Sequence, residues 1–252
     1  MFDLTGRVAV VTGASSGLGR QMARALARQG ASLALIARRE NKLQEVQAEI
    51  EALGAKCMYV PTDITDTDAV AAAAAKIEAE YGKVDIMIND AGAGATDPIE
   101  ETTDETWNKD ISVDLTGQFK MIREFGKIMI KNHYGRIINI ASMYGLVGNT
   151  ALPSGAYHAA KGAMVNFTRA VAAEWAKYGI NCNSICPGYF GTELTKATLD
   201  TADFQAYMKQ TVPLGRYGEE GELDAAAVFL ASDEASYVTG AILPVDGGYT
   251  CV

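Results

Sequence analysis

The sequence predicts one α/β domain over residues 1–252, a doubly wound sheet of seven parallel strands with helices on both faces. Three observations predict it. Short apolar runs alternate with longer helical patterns along the whole chain, the sequence form of a parallel sheet covered on both sides. The 252 residues are 48% hydrophobic and 21% charged, a balance that supports one large core. No linker rich in proline, glycine or serine and no internal repeat divides the chain.

The strands are read at 7–12 (Arg-Val-Ala-Val-Val-Thr), 32–37 (Ser-Leu-Ala-Leu-Ile-Ala), 56–60, 84–88, 135–141, 180–186 and 241–245. Helices fill the gaps near 17–29, 40–53, 66–81, 104–131, 155–178 and 222–231. Gly30, Gly54, Gly82 and Gly179 close four of them, in the place that asks for a left-handed backbone. The alanine-rich stretch 69–75 is helix former rather than low complexity, with Asp66 and Asp68 at one end and Lys76 at the other. Only 189–220 breaks the rhythm. It is polar, punctuated by Gly191, Pro213, Gly215 and Gly218, and reads as a long loop placed to cover a substrate.

Charge and cysteine usage narrow the chemistry. Lysine and arginine number 22 against 31 acidic residues, a net charge of −9, so affinity for nucleic acid or anionic lipid would work against the overall field. A phosphate in this protein's chemistry is then a small ligand in a local pocket. Four cysteines are too few for a disulfide scaffold, and the opening Met-Phe-Asp-Leu-Thr-Gly-Arg lacks a basic segment leading into an apolar one. The expectation is a cytoplasmic protein with reduced thiols, and no apolar run approaches a membrane span of about 20 residues. Cys182 and Cys186 are four apart, but neither a second pair nor His133 or His158 completes a metal site, so no metal is expected.

Thr12-Gly13-Ala14-Ser15-Ser16-Gly17-Leu18-Gly19 follows the first strand and opens a helix. Glycines there let the backbone turn tightly and approach a pyrophosphate, which the helix's free N–H groups and positive end hold. Glycine spacing alone fits a plain strand-to-helix turn. Position in the first βα unit favours the dinucleotide reading. The second strand ends Ala37-Arg38-Arg39-Glu40, where an acidic residue would suit a free ribose 2′-hydroxyl and an arginine a 2′-phosphate. Arg38 is read as the phosphate ligand, which makes NADP the preferred cofactor and NAD possible. Arg39 and Glu40 are read as solvated charges starting a helix.

Tyr157 and Lys161, in Tyr-His-Ala-Ala-Lys, are an i, i+4 pair on one helix face. A nearby ammonium lowers a phenol pKa that starts near 10, which brings the tyrosine into range as an acid or base. Ser142 stands just past the strand 135–141, at the carboxyl edge of the sheet, where its hydroxyl could hold a carbonyl oxygen beside the phenol.

The whole chain, collinearly, resembles the short-chain dehydrogenase/reductase family, a Rossmann-type fold. Thr12 to Gly19 matches its Thr-Gly-x-x-x-Gly-x-Gly, Asn89-Asp90-Ala91-Gly92 its Asn-Asn-Ala-Gly, Ser142 its serine, and Tyr157 and Lys161 its Tyr-x-x-x-Lys. The resemblance implies that Gly13, Ser15, Ser16, Gly17, Leu18 and Gly19 meet the cofactor and that Asp63, beside Ile64, meets the adenine amino group. It further implies that Asn89 and Ala91, followed by Gly92, line the adenosine ribose, and that Lys161 also binds the nicotinamide ribose. Pro187-Gly188-Tyr189-Phe190-Gly191-Thr192 resembles Pro-Gly-x-x-x-Thr, whose Phe190 backbone and Thr192 hydroxyl would hold the carboxamide.

Two positions depart from the pattern. Asp90 replaces the second asparagine of Asn-Asn-Ala-Gly, and Asp114 stands where the family's fourth catalytic residue is an asparagine. A carboxylate has no N–H to donate, which puts the usual proton relay in doubt. If Asp114 lies close to Lys161 it favours the ammonium and opposes phenolate; if it points away it matters little.

Ser-Met-Tyr-Gly at 142–145, Glu-Trp-Ala-Lys-Tyr-Gly-Ile at 174–180 and Cys-Pro-Gly-Tyr-Phe at 186–190 resemble the gluconate 5-dehydrogenase-like branch. The resemblance implies hydride exchange between nicotinamide and a secondary alcohol or ketone such as gluconate and 5-ketogluconate. A 3-oxoacyl thioester reductase or a hydroxysteroid dehydrogenase is the alternative, and a nicotinamide-binding regulatory protein without catalysis is the alternative of another class. The family's usual assembly implies a homotetramer or homodimer built partly on the helices 104–131 and 155–178.

Overall fold

A computed structural model describes residues 2–94, 96–150, 152–193 and 195–252. Seven strands, β1 (Val8–Thr12), β2 (Ser32–Ala37), β3 (Cys57–Pro61), β4 (Ile86–Asn89), β5 (Gly135–Ile140), β6 (Ile180–Pro187) and β7 (Ile242–Val245), form one parallel sheet. Their order is β3-β2-β1-β4-β5-β6-β7, so the chain leaves β1 toward one edge and returns to β4 for the other. This reversal opens a crevice at the carboxyl ends of β1 and β4, where ligands of such sheets bind.

Strand alternation feeds two cores. Ala9 and Val11 of β1 face α1 (Gly17–Arg28) and α2 (Glu40–Ala52), packing with Met22, Leu26, Leu43 and Ile50; Val10 between them faces the opposite layer. That layer holds α3 (Thr67–Tyr81), with Val70 and Ile77 buried. The expected caps hold there: the Asp66 side chain accepts from two N–H groups at the start of α3 and Gly82 closes it at φ 76°.

Two elements correct the sequence reading. The expected helix 104–131 is α4 (Asp104–Ile111), a π turn at Ser112–Gly117, and α5 (Gln118–Asn132). Helical periodicity hides a π turn because it adds a single residue, and such bulges gather at functional sites. Here it carries Asp114. The expected loop 189–220, whose residue 194 lies outside the described residues, contains α7 (Lys196–Leu199) and α8 (Ala202–Thr211). Thr201 caps α8, and its Phe204 and Met208 pack with Leu199 and Val212, a stripe too sparse to read among polar neighbours. Two long connections end in α6 (Gly155–Trp175), along the sheet, and α9 (Asp224–Ala231). Among the described residues no helix is long and apolar enough to cross a membrane, and no acidic, histidine and cysteine cluster could hold a metal.

Candidate active site and dinucleotide cleft

The loop between β1 and α1 is shaped by its glycines. Gly13 and Gly17 have φ of 67° and 57°. A Cβ on Gly19 would lie 2.7 Å from both the Gly13 carbonyl oxygen and Asp90 Oδ2, so only glycine fits there. The Thr12 hydroxyl accepts the N–H groups of Asp90 and Ala91, each at 2.9 Å, and ties the loop to the end of β4. Ser16 is the N-cap of α1, Leu18 packs toward the core, and a Cβ on Gly17 would lie 3.7 Å from the Thr192 side chain, so the loop and the 187–192 segment form two walls of one cleft.

At the second strand the structure adds a residue. Arg38 is exposed and its guanidinium has no hydrogen-bond partner among the described residues. Arg39, read as a solvated charge, instead donates to the Ser16 hydroxyl at 2.8 Å and reaches the Ser15 hydroxyl at 3.4 Å. Both follow the end of β2, Arg39 as the N-cap of α2; Arg39 folds onto the loop, while Arg38 stays exposed within electrostatic reach of Asp63. The signal was the pairing of Arg39 with two serine hydroxyls of the loop, which adjacency in sequence does not reveal. An exposed guanidinium at the end of the second strand, free of hydrogen bonds among the described residues, fits a phosphorylated dinucleotide.

Other positions implied by resemblance are more committed. Asn89 is fully buried, its amide donating to the Gln118 carbonyl at 3.2 Å and to Asn139 at 3.3 Å, so its side chain serves the sheet and only main chain is left for a ribose. Gln118 in turn donates to the Ala91 carbonyl at 2.8 Å. Asp63 Oδ1 accepts the Thr65 N–H and hydroxyl, which holds the carboxyl below its usual range. Ile64 packs against Gly117 at the end of the π turn. Gly188, after Pro187, abuts Asp246; Phe190 is buried, and Thr195 donates to its carbonyl at 2.6 Å and pairs with the Thr192 hydroxyl at 3.0 Å. Thr195 therefore bridges the two groups that resemblance assigns to the carboxamide.

The reacting end is built on α6, β5 and the π turn. Tyr157 and Lys161 lie one turn apart, with Nζ 5.4 Å from the phenol ring centre. The Ser142 hydroxyl hydrogen-bonds the phenol and also accepts the Tyr144 N–H at 3.1 Å. Lys161 Nζ donates to the Ile140 carbonyl at 3.1 Å and stands 3.1 Å from Asp114 Oδ1, while Asp114 Oδ2 accepts the Ala93 N–H at 3.0 Å. Asp114 thus points at the lysine, not away. Gly92 leaves it room, since a Cβ there would lie 2.7 Å from Oδ1. With side-chain exposures of 4% and 0%, lysine and aspartate have left water and depend on each other for charge balance.

Electrostatics correct the expectation for Tyr157. Burial pushes the phenol up; Lys161 pulls it down, but Asp114 and Asp90 push up again, and the net direction is upward. Burial alone would lower Lys161, yet Tyr157, Asp114 and Asp90 outweigh it and hold the ammonium above its ordinary range. Asp114 is raised by its burial, with Lys161 opposing. The arrangement can hold an oxygen between the serine and tyrosine hydroxyls and move a proton there, with an ammonium alongside. Tyrosines extend it: Tyr144 meets Tyr157 edge to face at 6.5 Å, stacks on His158 at 4.6 Å and shares a 2.7 Å hydrogen bond with Tyr189.

Known proteins share this architecture. The family model described as enoyl-(acyl carrier protein) reductase matches residues 13–250. A galactitol 2-dehydrogenase (L-tagatose-forming) of Cereibacter sphaeroides is 43% identical over 251 residues, 99% of this chain and 97% of that protein. A gluconate 5-dehydrogenase of Gluconobacter oxydans is 38% identical over 250 residues, covering 99% and 97%. The crystal structure of a gluconate 5-dehydrogenase from Burkholderia cenocepacia, in complex with NADP and tartrate, superposes with a TM-score of 0.95 at 35% identity, covering 100% of this chain and 98% of that one. The chain belongs to the short-chain dehydrogenase/reductase family, as an NAD(P)-dependent oxidoreductase of secondary alcohols.

Proposed function

We propose that this member of the short-chain dehydrogenase/reductase family prefers NADP and interconverts a polyhydroxylated secondary alcohol, a sugar acid or sugar alcohol, with its ketone. The observation that carries the reading is the buried constellation of Ser142, Tyr157 and Lys161, with Asp114 on the lysine, in one cleft with a glycine loop and the exposed Arg38. In the oxidising direction Ser142 orients the substrate hydroxyl, the Tyr157 phenolate takes its proton, and Lys161 stabilises the phenolate. A bound nicotinamide supplies the hydride acceptor at C4, and the donor in reverse. Arg38, with Arg39 holding Ser15 and Ser16, supports the NADP preference.

The substrate class draws on chemistry around Tyr157. Tyr144 and Tyr189 beside Tyr157, and a Tyr207–Tyr249 pair at 3.2 Å that continues the chain of rings through Tyr189, offer phenolic hydroxyls. Sites that hydrogen-bond a substrate hydroxyl reject analogues lacking it far more strongly than apolar pockets do. The relatives named for galactitol and gluconate point the same way. Residues 189–220 act as the substrate cover within one domain. Exposed Phe119 and the apolar groove between Leu115, Phe167 and Ala170 support assembly with further copies through α5 and α6, as a dimer or tetramer.

Initial rates with sugar acids, sugar alcohols, an acetoacetyl thioester and a hydroxysteroid, each with NADP and NAD, test the reading. The polyhydroxylated compounds with NADP should give the highest kcat/KM. Faster turnover of the thioester or the steroid would overturn the substrate class, and turnover of none would favour a binding protein.

A further inference from the structure

We infer that the Asp90 carboxyl takes up a proton when a dinucleotide binds, so that cofactor affinity falls as pH rises; the inference rests on the phosphate-loop reading proposed above. The question is where a second negative charge can go. Asp90 follows β4 directly, and its side chain lies against the glycine loop: Oδ2 stands 2.9 Å from the place of a Cβ on Gly13 and 2.7 Å from that on Gly19. Its carboxylate accepts the Gly19 N–H. It thus uses part of the same positive helix end that would receive the pyrophosphate.

The groups around it compensate the charge only in part. Lys161 and Tyr157 face it from α6 and Asp114 from the π turn; the loop contributes only main chain. Lys161 is the ammonium of this cluster, and Asp114 already holds it at 3.1 Å. A bound pyrophosphate therefore meets a carboxylate whose nearby ammonium is already shared with Asp114, while Arg39 lies on the serine side of the loop. A proton from solvent on one Asp90 oxygen removes the conflict and creates an O–H donor. An asparagine amide, which the family has here, offers the same donor at every pH. Burial already pushes Asp90 up to about 7, so protonation near neutrality costs little.

Calorimetric titration of the full chain with NADH and with NADPH, in two buffers of different ionisation heat near pH 7.5, counts the protons. Wild type should take up roughly half a proton or more per NADH, and its Kd should rise about tenfold from about pH 6.5 to about pH 9. Asp90→Asn should take up none and keep a flat Kd. NADH is the primary probe because the 2′-phosphate of NADPH ionises near pH 6 on its own. Equal proton counts in wild type and variant overturn the inference. Should the variant not fold, a wild-type count of zero with NADH overturns it alone. Binding without proton uptake defeats only the role of Asp90, whereas no binding of either dinucleotide defeats the phosphate-loop reading as well.

Discussion

Asp114→Asn separates charge from shape at the centre of the site. Both groups that hold the reacting proton are raised by Asp114, so its neutralisation lets the first proton leave the Tyr157–Lys161 pair at lower pH, whichever residue releases it. At the 3.1 Å separation of Lys161 Nζ and Asp114 Oδ1, an effective dielectric of ~20 gives about 5 kcal/mol of attraction. That is a ceiling. Opposite charges at such distances shift pKa values by about 1 to 3 units in practice, and a shift of that size is expected here. The assay is kcat/KM for alcohol oxidation from about pH 5 to about pH 10 with saturating cofactor, where the ascending limb reports the base in the enzyme–cofactor complex. The variant's limb should move to lower pH, with kcat within about tenfold, because the carboxamide oxygen of the new side chain would still accept the Ala93 N–H. Asp114→Ala, which strands a buried ammonium, should instead cost about 3 to 5 kcal/mol of stability. A superimposable pH profile for Asp114→Asn, or a limb displaced to higher pH, refutes the reasoning.

Four further outcomes are expected. Arg38→Ala should weaken NADP about ten- to hundredfold, the worth of one charge-assisted phosphate contact, with NAD nearly unmoved in a fluorescence titration; equal losses would remove the arginine from cofactor choice. Tyr157→Phe should bind cofactor normally and lose about 10² to 10⁴ in kcat, and near wild-type turnover would assign the proton to another group. Gly126→Ala on α5 would drive a methyl into the Trp175 ring and should destabilise by about 1 to 3 kcal/mol; a melting temperature equal to wild type would mean the ring yields freely. Asp90 titrates near 7 in the folded chain against 3.8 when free, so its favourable contribution is complete below pH 3.8 and lost as pH rises through about 7. Asp90→Asn should therefore gain stability over wild type between those pH values, with about 4 kcal/mol as the ceiling, and denaturant melts at low and high pH giving the same difference would refute it.

What could be read from sequence follows from how local each signal is. The seven strands declare themselves because strands buried on both faces leave short unbroken apolar runs, as in Val8–Thr12, and the left-handed Gly82 and Gly179 mark helix ends by their own backbone. The glycine loop, Ser142, Tyr157 and Lys161 are equally local. The π turn at 112–117, the helices in 189–220 and the fold of Arg39 over Ser16 are not, since each meets a partner distant in sequence: Lys161 for Asp114, Tyr189 and Tyr249 for α8, the loop for Arg39. Periodicity has no access to such pairings. The direction of the Tyr157 shift was hidden for the same reason, because a helical lysine is visible one turn away and two carboxylates from other elements are not.

Those two carboxylates are best understood together. Lys161 supplies one positive charge to a cluster that holds Asp114, Asp90 and a phenol able to ionise, and the first aspartate takes it. Asp114 then governs the reacting proton through a direct ion pair, while Asp90 meets the glycine loop on its other side. An asparagine at 114 would leave the lysine's charge free to lower Tyr157, and one at 90 would remove a second charge that raises it. With aspartate at both, the phenol is pushed further up than its burial alone would hold it, and neutralising either carboxylate lowers it. Protonation of Asp90 as a dinucleotide arrives would do this: it removes one of the two charges that raise Tyr157 at the moment the cofactor completes the site. The double variant Asp90→Asn with Asp114→Asn should therefore move the oxidation limb to lower pH than either single change, though by less than the sum if both act through the same ammonium. Strict additivity would mean that the two aspartates act on the tyrosine independently, and that Lys161 is not the group through which they are joined.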